Sequence, residues 1–176
     1  MRKVLIILSE LSDGDLDWMI SVGSRQSLEP NGLLIQEGRP VDALCLVLEG
    51  RFLVTAGSQR VAELGVGEAV GEISFLDERP PTASVRAMVP SRVLRIPGEA
   101  MRAHLKQDVG FAARFYRALA LFLADRLRAS LSRNTYSGSE SLGAAEFGEE
   151  INPALLDGMA VGGARFEWVL QRLRGG

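Results

Sequence analysis

Cysteine and histidine are almost absent from this sequence of 176 residues, which contains one of each, Cys45 and His104. A single cysteine excludes an internal disulfide, and a structural zinc site needs several Cys or His ligands at short spacings. The same scarcity leaves no paired nucleophile and base at a spacing that covalent catalysis would use. We therefore expect no metal, no catalytic residue and no enzymatic activity.

Long apolar runs and a strong excess of one charge are also missing. The apolar run at residues 4–8 is too short to span a bilayer or to form the core of a secretory signal. The formal net charge is −2, from 20 basic and 22 acidic residues, which disfavours a chain that coats nucleic acid. We expect a cytoplasmic protein with neither a membrane nor a nucleic acid as its partner.

Short β-prone runs fill the stretch from residue 24 to residue 97, and Gly, Pro, Asn or Asp interrupts them about every eight to twelve residues. This texture is typical of a β-barrel or of a jelly roll with two sheets. The expected fold class is therefore mainly β with flanking helices. The runs predicted as strands are residues 25–28, 33–36, 43–48, 52–55, 61–64, 83–89 and 92–96.

Helical patterns flank this β core on both sides. Ser12 can cap a helix over residues 12–22, because its hydroxyl can accept from a first-turn amide and acidic residues follow at the positive end of the helix dipole. After the strands, residues 98–106 and 109–133 show the helical period.

The long helix carries two apolar rows. A lone helix on a β core buries one face, so we expect one row to lie on the chain's own core and the other on a second copy, which predicts a homodimer. The row that marks the dimer helix consists of Phe111, Phe115, Leu119 and Phe122. The row beside it consists of Ala112, Tyr116, Ala120, Leu123 and Leu127.

The last part of the chain divides into two pieces beyond the domain predicted at residues 1–133. Residues 134–150 are rich in Gly, Ser and Glu and are expected to form a connector. Residues 151–176 are expected to form a short amphipathic tail helix, capped by Asn152. Its apolar residues predict that the tail folds back on the domain or binds a protein partner.

Four single residues have structural interpretations. Cys45 lies between two leucines of a strand and is expected to be a small buried apolar residue. His104 is expected at the surface. Trp18 and Trp168 each lie in a helical stripe, where tryptophan usually packs against other side chains.

Two segments, residues 28–50 and 65–87, resemble the cyclic nucleotide-binding domain family, to which the ligand domains of catabolite activator proteins belong. The resemblance covers residues 12–133 and implies an eight-stranded jelly roll followed by two helices. One departure is Asn31, where the family usually has glycine, but Asn tolerates a left-handed backbone. The glycines that carry the resemblance are Gly38, Gly50, Gly65, Gly67 and Gly71.

The resemblance implies a ligand site that begins at Gly71. In the family, a short helix starting with Gly-Glu binds the cyclic phosphate through its amides, and the Glu contacts the ribose. In this sequence Glu72 follows Gly71, although a first-turn carboxylate would also stabilise the helix without any ligand. The residues that could contact a ligand are Gly71, Glu72, Ile73, Ser74, Arg79, Thr82 and Ala83.

The arginine that pairs with the phosphate in the family is missing. It would stand nine residues after the Glu, and that position is Pro81. Proline offers neither a charge nor a backbone donor, so cyclic nucleotide affinity should fall at least tenfold. Arg79 is the nearest replacement, but two acidic residues precede it. Strand alternation places Arg86 on the face opposite the small apolar residues.

These observations favour a regulatory or protein-interaction module with weak or no cAMP binding and no cofactor. The alternative is a genuine sensor of cAMP, cGMP or another anion, which would use the helix that begins at Gly71. A transcription regulator is disfavoured, because the residues after the long helix are too few and too interrupted by glycine for a winged helix-turn-helix.

Overall fold

The computed structural model describes residues 7–136 and 153–174. Its helices are α1, described at residues 7–10, then α2 (Asp13–Val22), α3 (Glu72–Asp77), α4 (Gly98–Gln107), α5 (Val109–Tyr136) and α6 (Pro153–Arg174). Its strands are β1 (Ser24–Leu28), β2 (Leu33–Ile35), β3 (Ala43–Glu49), β4 (Phe52–Ala56), β5 (Gln59–Leu64), β6 (Ala69–Val70), β7 (Ser84–Ala87) and β8 (Ser91–Pro97).

The strands form two antiparallel sheets. One has the order β1-β8-β3-β6 and the other the order β2-β7-β4-β5. The predicted jelly roll with flanking helices is therefore confirmed. The strand that the sequence did not predict is β6, which has only two residues and pairs with β3 through Cys45↔Val70 and Leu46↔Ala69.

Strand β3 separates two apolar cores, because both of its faces are buried. Ala43, Cys45 and Val47 lie in the core between the two sheets. Leu44 and Leu46 face the other way, into a core that the sheet shares with the helices. Period-two alternation explains why one uninterrupted apolar run serves both cores. Burial raises the pKa of the Cys45 thiol to about 11, in agreement with its predicted role as a small buried residue.

Helix α2 begins as predicted. The Ser12 hydroxyl accepts from the Asp15 amide at 3.2 Å, and the Asp15 carboxylate accepts from the Ser12 amide at 2.7 Å. These reciprocal bonds form a capping box, which satisfies amides that have no partner within the helix.

The first apolar row of α5 is the row that lies on the chain's own β core, and the predicted dimer stays a prediction for the other row. Phe111, Phe115, Leu119 and Phe122 are at most 1% exposed and lie in the chain's own helix–sheet core. The period of the helix shows two rows but cannot tell which one the β core covers. The neighbouring row is the more exposed one, with Tyr116 at 50% and Leu127 at 61% exposure.

Two other sequence predictions need correction. His104 is half-buried instead of lying at the surface, because its ring stacks on Trp18 with 3.8 Å between the ring centroids. Helix α5 continues to Tyr136, three residues into the predicted connector, and the Ser- and Gly-rich stretch begins only at the next residue, Ser137. The rest of that connector, residues 137–150, and the predicted cap Asn152 lie outside the described residues.

Helix α6 folds back on the N-terminal helices, which is one of the two outcomes predicted for the tail. Phe166 and Val169 are buried in the same core as Leu8 and Leu11, and Trp168 packs against its edge. The Arg165 guanidinium donates to Asp13 at 2.8 Å and to the carbonyls of Leu8 and Ser9 at 3.0 and 3.1 Å.

Candidate functional site

The turn from β6 into α3 positions the candidate site, and Gly71 makes the turn possible. Its φ is 91°, a left-handed backbone that glycine adopts without strain. A Cβ atom at this position would lie 2.7 Å from the Ala43 carbonyl oxygen and 3.2 Å from Val41. A residue with a side chain would therefore displace the start of α3 from β3.

Helix α3 is a single short element with two buried polar residues. Its first hydrogen bond runs from the Phe75 amide to the Gly71 carbonyl at 3.0 Å. Glu72 and Ser74 are 2% and 8% exposed, whereas Ile73 is 52% exposed. Phe75 packs the helix against α5, because its ring meets the Phe115 ring edge-on with 5.9 Å between the ring centroids.

A cavity of about 230 Å³ opens between α3, the loop before β7 and the inner face of the β core. It brings together every ligand residue that the sequence predicted, namely Gly71, Glu72, Ile73, Ser74, Arg79, Thr82 and Ala83. Their role in binding stays a prediction. The cavity also includes residues that were not predicted as ligand contacts, namely Ile35, Val54, Leu64, Ala69, Val70, Asp77, Pro80, Pro81 and Val85. Strand alternation could have shown that the aliphatic ones face inward, but not that they border this cavity.

Pro81 lies in the wall of the cavity, in the loop before β7. Its carbonyl accepts a hydrogen bond from the Gly38 amide at 2.9 Å, which ties this loop to the turn between β2 and β3. Gly38 has a φ of 73°, as a tight turn requires. Position 81 therefore borders the cavity with an apolar ring that carries no charge.

Three ionisable residues of the described part of the chain border the cavity. Among the described lining residues, Glu72 and Asp77 are acidic and Arg79 is basic. Arg79 is exposed and forms no ion pair with a described residue, while its amide donates to the Asp77 carboxylate at 3.1 Å. Two carboxylates and one guanidinium therefore border the cavity, and the Glu72 carboxylate has a further interaction of its own within the protein.

Arg86 points away from the cavity, as the strand alternation predicted. Its neighbours Val85 and Ala87 are buried, and its own exposed guanidinium donates to the Asn31 carbonyl at 3.3 Å. Asn31 has a φ of 68°, which confirms that it replaces glycine in a left-handed turn. Arg86 therefore cannot take the place of the missing cation without a change of the strand's register.

Comparison with known proteins shows which protein family has this architecture. Residues 25–108 match the sequence profile of the cyclic nucleotide-binding domain. This segment belongs to the cyclic nucleotide-binding domain family. A cyclic nucleotide-binding domain from Methylobacillus flagellatus superposes with a TM-score of 0.69 at 24% identity, over 80% of this chain and 85% of that one. The catabolite activator protein of Thermus thermophilus superposes with a TM-score of 0.62 at 22% identity, over 97% of this chain and 87% of that one.

Curated relatives of this cyclic nucleotide-binding domain include an uncharacterised NTE family protein of Mycobacterium tuberculosis. It is 26% identical over 155 residues, or 88% of this chain. The chain spans only 26% of the length of that relative. In residues 7–136 and 153–174, no group of His, Cys, Asp and Glu is arranged to hold a metal ion. No described helix has the length and apolar composition that a membrane crossing requires.

Proposed function

We propose that this cyclic nucleotide-binding domain is a regulatory or protein-interaction module whose cavity binds cAMP and cGMP weakly or not at all. The observation that carries the proposal is Pro81 in the cavity wall, at the position where the family resemblance expects an arginine. A regulatory role without catalysis, in the cytoplasm, is part of the same proposal.

The energetic argument concerns the cyclic phosphate. An arginine can hold two phosphate oxygens in a planar fork, whereas proline offers no donor at all. Losing a hydrogen bond to a charged group costs about 1.5 to 3 kcal/mol, and leaving a buried charge without its partner costs about 3 to 5 kcal/mol. Affinity should therefore be about tenfold to a thousandfold lower than with arginine.

Two features weaken the alternative that this cavity is a genuine anion sensor. The guanidinium of Arg79 is exposed, so water screens its attraction for a phosphate. The carboxylate of Asp77 borders the same cavity and repels an anion. The backbone amides at the start of α3 supply only part of the stabilisation that a bound phosphate needs.

The mycobacterial relatives support the interpretation as a module, because the matched region is about a quarter of a longer chain there. We propose that the domain binds a protein partner and that it forms a homodimer. The partly exposed second row of α5 is the surface that such a dimer could bury.

Isothermal titration with cAMP and cGMP tests the proposal. The unmodified protein should show millimolar or undetectable binding, whereas Pro81→Arg should bind cAMP about tenfold to a thousandfold more tightly. Ser58→Arg is the control, because it adds the same charge at an exposed turn outside the cavity and should leave affinity unchanged. Submicromolar binding by the unmodified protein would contradict the proposal and favour the sensor.

A further inference from the structure

The acidic side chains of α1 and α2 pair with arginines from two different helices, so these two helices lie between two basic surfaces. In each of four ion pairs the shortest nitrogen–oxygen distance is 2.7 or 2.8 Å. The pairs are Arg114–Asp15 and Arg117–Glu10 for α5, and Arg165–Asp13 and Arg172–Asp17 for α6. The position of α6 therefore depends on acidic residues that are not paired with these arginines of α5.

The surface of α1 and α2 that receives α6 is called the acidic groove here, and it consists of Leu8, Ser9, Asp13 and Asp17. Leu8 is 1% exposed and belongs to the same core as Phe166 of α6. The Arg165 guanidinium donates to the carbonyls of Leu8 and Ser9 as well as to the Asp13 carboxylate. The groove thus offers apolar surface and acceptor oxygens side by side.

Helix α6 presents an apolar stripe and two arginines to the acidic groove. Phe166 and Val169, three residues apart, are both buried. Arg165 and Arg172 are seven residues apart, which is about two helical turns, so both lie on one side of α6. These arginines meet the two aspartates of the groove in the same order along the chain, and α6 therefore runs in the same direction as α2.

Helix α6 is a weak helix apart from its contacts with the domain. Gly158, Gly162 and Gly163 lie within it, and glycine in a helix is less favourable than alanine. The ion pair between Arg172 and Asp17 joins side chains that are 59% and 48% exposed, so water screens it. The helical form of α6 thus depends on the groove, and another helix with the same pattern and fewer glycines would fit the groove at a lower cost.

We propose that the acidic groove is a docking site for an amphipathic helix of a partner protein, and that α6 is the occupant which this helix replaces. The contacts of α6 define the partner helix, which carries two arginines seven residues apart beside an apolar stripe. The aspartates of the groove would repel an acidic helix. The proposal rests on the proposed function, because it names the surface through which a protein-interaction module binds its partner.

A fluorescein-labelled peptide with the sequence of residues 153–174 is the probe, because it carries the stated pattern. A reversed peptide differs from the probe by Arg165→Asp and Arg172→Asp. Fluorescence anisotropy measures the binding of each peptide to the full chain. The unmodified chain should bind the probe weakly, because its own α6 is tethered and competes at a high effective concentration.

Weakening the chain's own α6 should open the groove to the probe. Phe166→Asp in the full chain puts a charge at a residue that is 9% exposed, and it should raise the affinity for the probe at least tenfold. Ala164→Asp is the control, since it adds the same carboxylate at an exposed position of α6 and should leave the affinity unchanged. Arg172→Asp removes the exposed ion pair and should raise the affinity about two- to fivefold.

Groove variants test the charge pattern of the partner. In the Phe166→Asp chain, Asp13→Arg with Asp17→Arg should weaken binding of the probe at least tenfold and strengthen binding of the reversed peptide at least tenfold. Glu49→Arg with Glu63→Arg is the matched control, because it also reverses two carboxylates that form exposed ion pairs, on β3 and β5. The control should leave both affinities unchanged.

Equal binding of the two peptides, or an affinity that neither Phe166→Asp nor Arg172→Asp raises, would overturn the inference. If Phe166→Asp fails to fold by circular dichroism, Arg172→Asp replaces it in both comparisons. Light scattering with saturating probe should show an unchanged number of chains per particle. Dissociation of a dimer would mean that a second copy supplies the replacing helix, and it would overturn the partner assignment. The cAMP titration uses none of these variants and decides weak nucleotide binding by itself.

Discussion

The guanidinium of Arg114 holds the carboxylate of Asp15 with two hydrogen bonds, from Nε to Oδ2 at 2.7 Å and from Nη2 to Oδ1 at 2.8 Å. Arg114 lies on α5 and Asp15 on α2, 99 residues earlier in the chain. The same carboxylate accepts from the Ser12 amide at the start of α2. One side chain therefore fixes where α2 begins and how it packs on α5.

Replacing this carboxylate should destabilise the domain more than replacing an exposed one. We expect Asp15→Ala to lower the free energy of unfolding by about 2 to 3 kcal/mol, because the cap and the paired Arg114 are lost together. Urea denaturation measures this change in the free energy of unfolding. Glu63→Ala, which removes an exposed ion pair with Arg60, should change stability by no more than about 0.5 kcal/mol. Equal effects of the two variants would contradict the central role of Asp15.

The same pair should make stability depend on pH in the acid range. Burial raises the pKa of Asp15, but hydrogen bonds from Arg114 and Ser12 outweigh it and hold the pKa below its ordinary value of 3.8. A lowered pKa stabilises the folded state above the unfolded value, and this contribution is lost as pH falls through the folded value. The stability difference between the unmodified protein and Asp15→Asn should be constant at neutral pH and shrink below about pH 4. A difference that grows on acidification would exclude a lowered pKa.

Helix α6 should contribute to the stability of the whole domain. Phe166 is 9% exposed and joins the helix–sheet core, so Phe166→Ala should lower the free energy of unfolding by about 3 kcal/mol. Its exposed neighbour provides the comparison, and Glu167→Ala should have almost no effect. Thermal unfolding followed by circular dichroism measures both. An unchanged midpoint for Phe166→Ala would mean that α6 does not stay on the domain in solution.

The exposed row of α5 should mediate self-association. Light scattering should report a dimer when the protein concentration is tens of micromolar, which is on the order of ordinary homodimer dissociation constants. Leu127→Glu should then give a monomer, since it puts a charge on the row at a residue that is 61% exposed. Val61→Glu alters an apolar residue of similar exposure, 56%, on β5 and should remain dimeric. A monomeric unmodified protein would refute the dimer.

Much of the site could be predicted because its signals are local. The left-handed turns at Gly71 and Asn31 follow from what those residue types allow in the backbone. The outward direction of Arg86 follows from alternation along one strand. A family resemblance then places Pro81 at the cavity before any coordinate is known.

What the sequence by itself determined is the set of local conformations: the capped start of α2 at Ser12, the turn at Gly71 and the absence of a cation at Pro81. Only the tertiary structure decided that the Phe111 row faces the chain's own core, since two rows of equal period are equivalent until a β sheet covers one of them. It likewise decided that His104 stacks on Trp18, which belongs to a helix far away in the chain. Such choices depend on which surfaces exclude water together, and residues distant in sequence acquire that relationship only when the chain folds.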